Sequence, residues 1–180
     1  MMFDPVPSFS PSQFQVNFAT TAWERQGAHA LRREVFCREQ GLFGDDDRDA
    51  IDDVAQLIVA QAMWGLVADR VVGTVRIHQP TPGTWWGSRL AVAREERKVG
   101  ALGAALIRVA VCSAHALGCQ TFLAHVQEQN VLLFRRLHWQ VLETLELHGR
   151  PHMRMQADLK FYPPLATPEI GLVALPRKAA

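Results

Sequence analysis

One short stretch has residue types suited to holding a polyanion. The apolar run Arg89-Leu90-Ala91-Val92 is followed by Arg97-Lys98-Val99-Gly100-Ala101-Leu102-Gly103-Ala104 and then by Ala105-Leu106-Ile107. This reads as a strand, a short basic loop and the first turns of a helix. A helix N-terminus presents unpaired backbone N–H groups and a partial positive charge. Gly100 and Gly103 let phosphate oxygens come close to those groups, and Arg97 and Lys98 add full charges. The chemistry implied is the cradling of a pyrophosphate. It is neither of the commoner phosphate loops, because there is no G-x-G-x-x-G and the lysine precedes the glycines instead of closing G-x-x-x-x-G-K-[ST]. An ordinary loop that opens a helix is the competing reading.

Other reactive side chains are grouped less tellingly. Asp45, Asp46, Asp47, Asp49, Asp52 and Asp53 form an acidic run. The first three odd positions match a calcium loop, but Ala50 replaces the required glycine and Gln56 the bidentate glutamate. A solvated loop is expected, with attraction of a cationic amine as the alternative. His148 and His152 flank Gly-Arg-Pro, and Pro151 keeps them off one helical face. A metal site would need the fold to bring His125 to them, and no metal is expected. Cys37, Cys112 and Cys119 are an odd count without a disulfide framework, which suggests reduced thiols in a cytoplasm. Cys37 has no paired histidine in sequence for an acyl relay.

The positioning elements follow from periodicity. The 180 residues favour one domain with a sizeable core. A net charge of +1 without a basic stripe argues against nucleic acid. No secretory leader and no apolar run of membrane-spanning length is read. Residues 1–12 read as a loose Pro/Ser-rich arm, 13–162 as the folded domain and 163–180 as a Pro/Ala-rich tail or an arm that packs elsewhere. Phe14–Phe18 alternates as a first strand. A helix capped by Thr20 or Thr21 places Ala28, Leu31, Val35 and Phe36 on one face and ends near Gly41. Strand-like runs cover 55–62, 63–67, 71–77 after an Asp69-Arg70 turn, and 85–92. A helix over about 100–117 stops at Gly118. A strand over 121–126, a short helix over 130–137 and a strand pair around His148–Pro151 close the domain. The expected class is α/β: a mixed, mostly antiparallel sheet of six to seven strands with helices on both faces. The unit over 85–126 should be a right-handed parallel crossover.

The order of elements and several motifs resemble the GNAT (GCN5-related) N-acetyltransferase superfamily. Leu31-Arg32-Arg33-Glu34-Val35-Phe36-Cys37-Arg38-Glu39-Gln40 is similar to the LR-x-x-VF-x-x-EQ signature of its ElaA-like branch. So are Asp52-Asp53, Val72-Gly73-Thr74-Val75-Arg76, Arg89–Val92 and the closing Pro151-His152-Met153-Arg154-Met155. Leu123–Gln127, Gln129-Asn130-Val131 and His148–His152 further resemble bacterial nitrogen-starvation N-acetyltransferases. The resemblance implies a sheet split in a V between the strands at 86–92 and 121–126, with acyl-CoA, by default acetyl-CoA, in the opening. Pantetheine would pair with the backbone of Leu90, Ala91 and Val92. The pyrophosphate would sit on Arg97, Lys98, Val99, Gly100, Ala101, Gly103 and Ala104. The family's [QR]-x-x-G-x-[GA] fits through Gly100 but meets Leu102 at its sixth position.

Acyl transfer to an amine needs a base, a donor for the carbonyl oxygen and a leaving thiolate, whose free pKa is about 8.5. The tyrosine that many relatives use as acid is Phe134 here, and the lone Tyr162 lies outside that motif. Glu39, at the end of the first helix, is the preferred base, against a surface ion pair. His125, on the strand flanking the cleft, is the second catalytic candidate, against a hydrogen-bonded core histidine. Asn130 bonds the pantetheine or caps the next helix. Phe36, Gln40 and His152 are expected to line the acceptor side, and Arg150 either clamps a substrate carboxylate or is solvated. The activity implied is direct transfer from acyl-CoA to a small amine or amino-acid-like acceptor, with a homodimer as the expected assembly. Alternatives are an acyl-homoserine-lactone-synthase-like transferase and a degenerate acyl-CoA-binding or regulatory module.

Overall fold

The computed structural model describes residue 11, residues 13–99 and residues 101–176; the Pro/Ser-rich arm lies almost wholly outside them. The order is β1 (Gln13–Phe18), α1 (Ala22–Arg32), β2 (Gln56–Trp64), β3 (Val67–Thr81), β4 (Thr84–Val92), α2 (Ala101–Ala116), β5 (Thr121–Gln127), α3 (Val131–Arg136), β6 (Trp139–Leu147), β7 (Arg150–Ala157) and β8 (Leu172–Ala174). One sheet runs β6-β7-β5-β4-β3-β2-β1-β8. Every pairing is antiparallel except β4 with β5. The fold is therefore the expected mixed α/β sheet with a parallel crossover, with eight strands instead of six or seven.

The extra strand comes from the segment that reads as a tail. Leu172–Ala174 pairs with Phe14–Val16 of β1. Gly171 enters it at φ +68°, and a Cβ there would stand 1.8 Å from the Val16 carbonyl oxygen. No side chain fits at that approach. A second difference lies in the β2–β3 hairpin. Its turn is Gly65-Leu66, with Gly65 at φ +60°, and β3 runs unbroken through Asp69-Arg70, where the sequence suggests a turn. The glycine, able to take a left-handed conformation, decides the reversal.

α1 starts at a capping box. Thr21 Oγ accepts from the Glu24 N–H, and the Glu24 carboxylate accepts from Thr21 N–H. The helix does not end at its last α turn. Arg33–Glu39 continues as a π-helix, in which the Gln40 N–H reaches back to the Val35 carbonyl. This widened turn presents Phe36 inward and Gln40 at its end, a device common near functional sites. α1 covers one sheet face, where Gly27 lies against Val71. α2 covers the other, where Leu106 lies against Gly73. Leu102, Leu106, Val109 and Val111 of α2 are buried with Val16, Ile58, Val72 and Ile77 of the sheet.

Candidate functional site

The parallel pairing of β4 and β5 lasts from Thr84↔Thr121 to Gly87↔Ala124 and then stops. Beyond it Ser88–Val92 and His125–Gln127 diverge. Two features drive them apart. β4 carries a bulge: Thr74 pairs with Ala91 and Arg76 with Ser88, which leaves Arg89 and Leu90 opposite one residue. Arg89 holds φ +54°, a conformation that costs a non-glycine residue about 1–2 kcal/mol. Its guanidinium offsets this by pairing with Asp47 Oδ2 at 2.9 Å and Asp49 Oδ2 at 3.2 Å, and by lying 4.4 Å from the Phe43 ring centroid.

The gap opens into a cavity of about 650 Å³. It reaches both sheet faces. Strand alternation puts Leu123, His125 and Gln127 on the α1 face with Trp86, while Phe122, Ala124 and Val126 face α2. The α1 side is polar: Asp49, Arg76, Arg89, His125, Gln127 and His152 line it. The α2 side is apolar and is walled by Ile107, Ala110, Val111, Phe122, Phe134 and Trp139. Gln40 closes the roof. It accepts from Gln127 Nε2 at 3.0 Å, and its carbonyl accepts from Arg150 Nη2 at 2.6 Å.

Half of the acidic run is exposed as the sequence suggests, at Asp45, Asp46 and Asp53, and half is drawn into ion pairs, at Asp47, Asp49 and Asp52. Asp47 is 1% exposed and is knitted with Asp49 and Asp52 to three arginines. Arg32 Nε meets Asp47 at 2.8 Å, and its two terminal nitrogens meet Asp52 at 2.5 and 3.0 Å. Arg76 meets Asp49 at 2.6 and 2.9 Å and Asp52 at 2.7 Å. With Arg89 the three cations balance the three anions. The hydrogen bonds from Arg76 hold the Asp49 carboxyl below the usual carboxylate range. Burial would raise the Asp52 carboxyl, but bonds from Arg32 and the Asp49 N–H outweigh it and keep Asp52 well below that range. The signal in the sequence was a charged residue inside each of two apolar strands, Val75-Arg76-Ile77 and Ser88-Arg89-Leu90; such residues demand buried partners. Alternation along Trp85-Trp86 predicts one core tryptophan and one at the cleft, and Trp85 is buried while Trp86 lines the cavity; His78, also in the wall, carried no such signal.

The structure brings together Phe36, Gln40, Leu90, His125, Asn130 and His152 at the cavity wall. Asn130 makes no capping bond to α3. His125 lies on the same face as His152, diagonally across the β5–β7 ladder, because His125 pairs with Arg154 and His152 with Gln127. Burial, then the neighbouring His152 and Arg154, push the His125 imidazole below its usual range, so it is neutral near pH 7. His125 packs against Trp86 at 4.8 Å and makes no core hydrogen bond. His152 is buried, and its Nδ1 lies 3.0 Å from the Arg150 carbonyl oxygen. A carbonyl oxygen only accepts, so the His152 Nδ1 carries a proton.

Glu39 is not in this wall. Its carboxylate pairs with Arg97 at 2.8 Å, and Arg97 also donates to the Val92 carbonyl at 2.9 Å. Ala91 is buried beside Val92 on β4, and Ala101, Gly103 and Ala104 form the first turn of α2. Gly100 lies outside the described residues, as do the side chains of Lys98 and Val99. Tyr162 is a core residue. Its hydroxyl donates to the Leu137 carbonyl and accepts from Trp139 Nε1, and burial pushes it up to about 12. Among the described residues no cluster of three metal-ligating side chains occurs, and no helix is long and apolar enough to cross a membrane.

The acetyltransferase (GNAT) family model matches residues 23–139. Solved structures share the fold. A candidate N-acetyltransferase from Lactobacillus plantarum is 21% identical, with a TM-score of 0.71 over 80% of this chain and 97% of that one. ElaA from Escherichia coli is 20% identical, with a TM-score of 0.60 over 81% and 98%. A CoA-dependent acyl-homoserine lactone synthase, BjaI, solved with SAM and isopentyl-CoA, is 18% identical, with a TM-score of 0.65 over 88% and 94%. No curated protein matches the sequence.

Proposed function

Because the chain belongs to the acetyltransferase (GNAT) family, we propose that it transfers an acyl group, by default acetyl, from acyl-CoA directly to the nitrogen of a small amine or amino-acid-like acceptor. The observation that carries this reading is the split of the sheet after Gly87 and Ala124, which leaves one edge of Ser88–Val92 unpaired beside a cavity with polar and apolar walls. An extended pantetheine meets its hydrogen-bonding needs along such an edge, on Leu90, Ala91 and Val92. The first turn of α2 offers its N–H groups to the pyrophosphate, with Arg97 exchanging Glu39 for phosphate oxygens. Asn130, free of a capping role, bonds the pantetheine amides. The acceptor enters on the α1 side, between Phe36, Gln40 and His152.

Direct transfer proceeds with a neutral amine. His125 or His152 takes the ammonium proton on an unprotonated ring nitrogen. The amine attacks the thioester carbonyl, a β4 backbone N–H receives the developing oxyanion, and the C–S bond breaks. The second amine proton leaves with the thiolate as free CoA thiol. Phe134 has no proton to give, so water supplies any assistance to the thiolate. Glu39 acts in this scheme as the partner that holds Arg97.

Calorimetric titration with acetyl-CoA, beside ADP and free pantetheine, tests the reading. Micromolar binding that needs both halves of the molecule is expected, and Gly103→Asp should abolish it. A Cβ at Gly103 meets only Leu133 Cδ2, at an ordinary 3.7 Å, so this variant keeps the fold. Absence of binding by the unaltered protein would sink the proposal. The likeness to BjaI over 88% of the chain favours a second reading, an acyl-homoserine-lactone-synthase-like transferase. Turnover that requires S-adenosylmethionine would select it.

A further inference from the structure

The cavity continues behind the gap to the α2 side, where its wall is apolar. A volume of about 650 Å³ falls in the range of about 300–1,000 Å³ that takes a drug-sized ligand. At the apex of the split stand the two smallest side chains of the opening, Gly87 and Ala124. A Cβ on Gly87 would lie 3.1 Å from the Phe122 ring, so only glycine lets that ring close against β4 just before the strands part. Behind the gap the wall is Ile107, Ala110, Val111, Phe122, Phe134 and Trp139. Two details make this arm free of polar atoms. The position of the usual tyrosine is a phenylalanine. The indole N–H of Trp139 is turned away and donates to the Tyr162 hydroxyl at 2.9 Å. An arm without a hydrogen-bonding group holds water poorly and hydrocarbon well.

We infer that this apolar arm is an acyl-chain site and that the preferred donor carries a saturated chain longer than acetyl. The inference rests on the reading of the split as an acyl-CoA site. With the thioester at the gap between Ser88 and His125, just beyond the last paired residues Gly87 and Ala124, the tail turns to the α2 face toward Val111 and Phe134. The amine acceptor stays on the opposite, polar side. Each methylene buried there adds about fourfold in affinity.

The test is a calorimetric series on the full chain with free CoA and acetyl-, butanoyl-, hexanoyl- and octanoyl-CoA. The expected result is affinity that climbs about fourfold per methylene until the arm is full. Ala110→Leu and Ala124→Val, placed to fill it, should flatten the climb so that octanoyl-CoA binds no tighter than acetyl-CoA. Equal affinity for all donors, or tightest binding of acetyl-CoA, overturns the acyl-chain site while leaving the acyltransferase reading intact. A climb that both filled variants retain assigns the gain to surface adsorption and overturns it too. Failure of every CoA species to bind overturns the underlying reading instead. Two filled variants are used so that either one, if the other does not fold, still separates the arm from surface adsorption.

Discussion

Arg32→Met is the sharpest perturbation of the site's scaffold. Arg32 is fully buried and makes three charge-assisted hydrogen bonds, one to Asp47 and two to Asp52. Methionine keeps much of the length and removes the charge, leaving three carboxylates to share Arg76 and Arg89. Breaking a buried ion pair from one side costs about 3–5 kcal/mol, a large part of the about 5–15 kcal/mol that holds a typical domain. For a domain of this size that corresponds to a fall in Tm of about 6–20 °C. Urea unfolding of both proteins at several pH values is the assay, and its pH dependence carries a sign. In the unaltered protein Asp49 and Asp52 are held below the ordinary carboxylate range. Their contribution is therefore fully present above the unfolded value of about 3.9 and disappears only as pH falls through the lower folded values. In the variant an underpaired buried carboxylate rises instead and is relieved by protonation. The gap between the two proteins should thus narrow from pH 7.5 toward pH 5. A second change, Arg32→Met with Asp47→Asn, should recover part of the loss. A loss under about 1 kcal/mol, typical of a surface pair, or a gap independent of pH, would refute the assignment of the network as buried and charge-balanced.

Three further outcomes are expected. His125→Gln should lower kcat/KM by about 10²–10⁴ if its imidazole is the base. In the unaltered enzyme the acid limb of the rate profile should lie below about pH 6.5, because burial, His152 and Arg154 favour the neutral ring more than Glu143 opposes it; a limb at pH 7 or above contradicts this. Tyr162→Phe should cost about 1–3 kcal/mol by urea unfolding, since it strands the Leu137 carbonyl and the Trp139 N–H, with kcat unchanged; a hundredfold fall in kcat would make Tyr162 catalytic. Gly171→Ala should release β8, which hydrogen exchange would show as lost protection at Phe14 and Val16, because the new Cβ collides with the Val16 carbonyl.

Much of this architecture was legible because it rests on local signals. A threonine at 20 or 21 marks the start of α1, with Thr21 the one that caps it; the apolar run at 121–126 marks β5, and Gly118 at φ +85° follows α2. The sheet splits after Gly87 and Ala124, and His125, His152, Gln40 and Phe36 stand at the wall of the resulting cavity. What stayed hidden depends on long-range pairing. Asp47, Asp49 and Asp52 look solvated in a run of aspartates, and only the approach of Arg32, Arg76 and Arg89 turns them into a lattice in which Asp47 and Asp52 are covered and Asp49 stays partly exposed. The Glu39–Arg97 pair joins residues from opposite ends of the cofactor side. The π-helical turn is likewise invisible to a 3.6-residue period, since it carries the same apolar residues with one more residue per turn.

The short β4–β5 pairing also has a mechanical meaning. Four residue pairs, with the Gly83 carbonyl receiving the N–H groups of Gln120 and Thr121, form the seam between a lobe of β5, β6 and β7 and a lobe of the other five strands. At the far end the lobes are clasped by the two bonds that converge on Gln40, from Gln127 and Arg150. A net hydrogen bond is worth about 0.5–1.5 kcal/mol, so unfastening both costs about 1–3 kcal/mol. One hydrophobic core also spans the seam, with Phe122, Val126 and Met155 of one lobe packed in the same cluster as Val72, Ile77 and Leu106. The mouth of the cleft therefore rests on a few polar bonds from Gln40, Gln127 and Arg150, while its floor rests on the packed core.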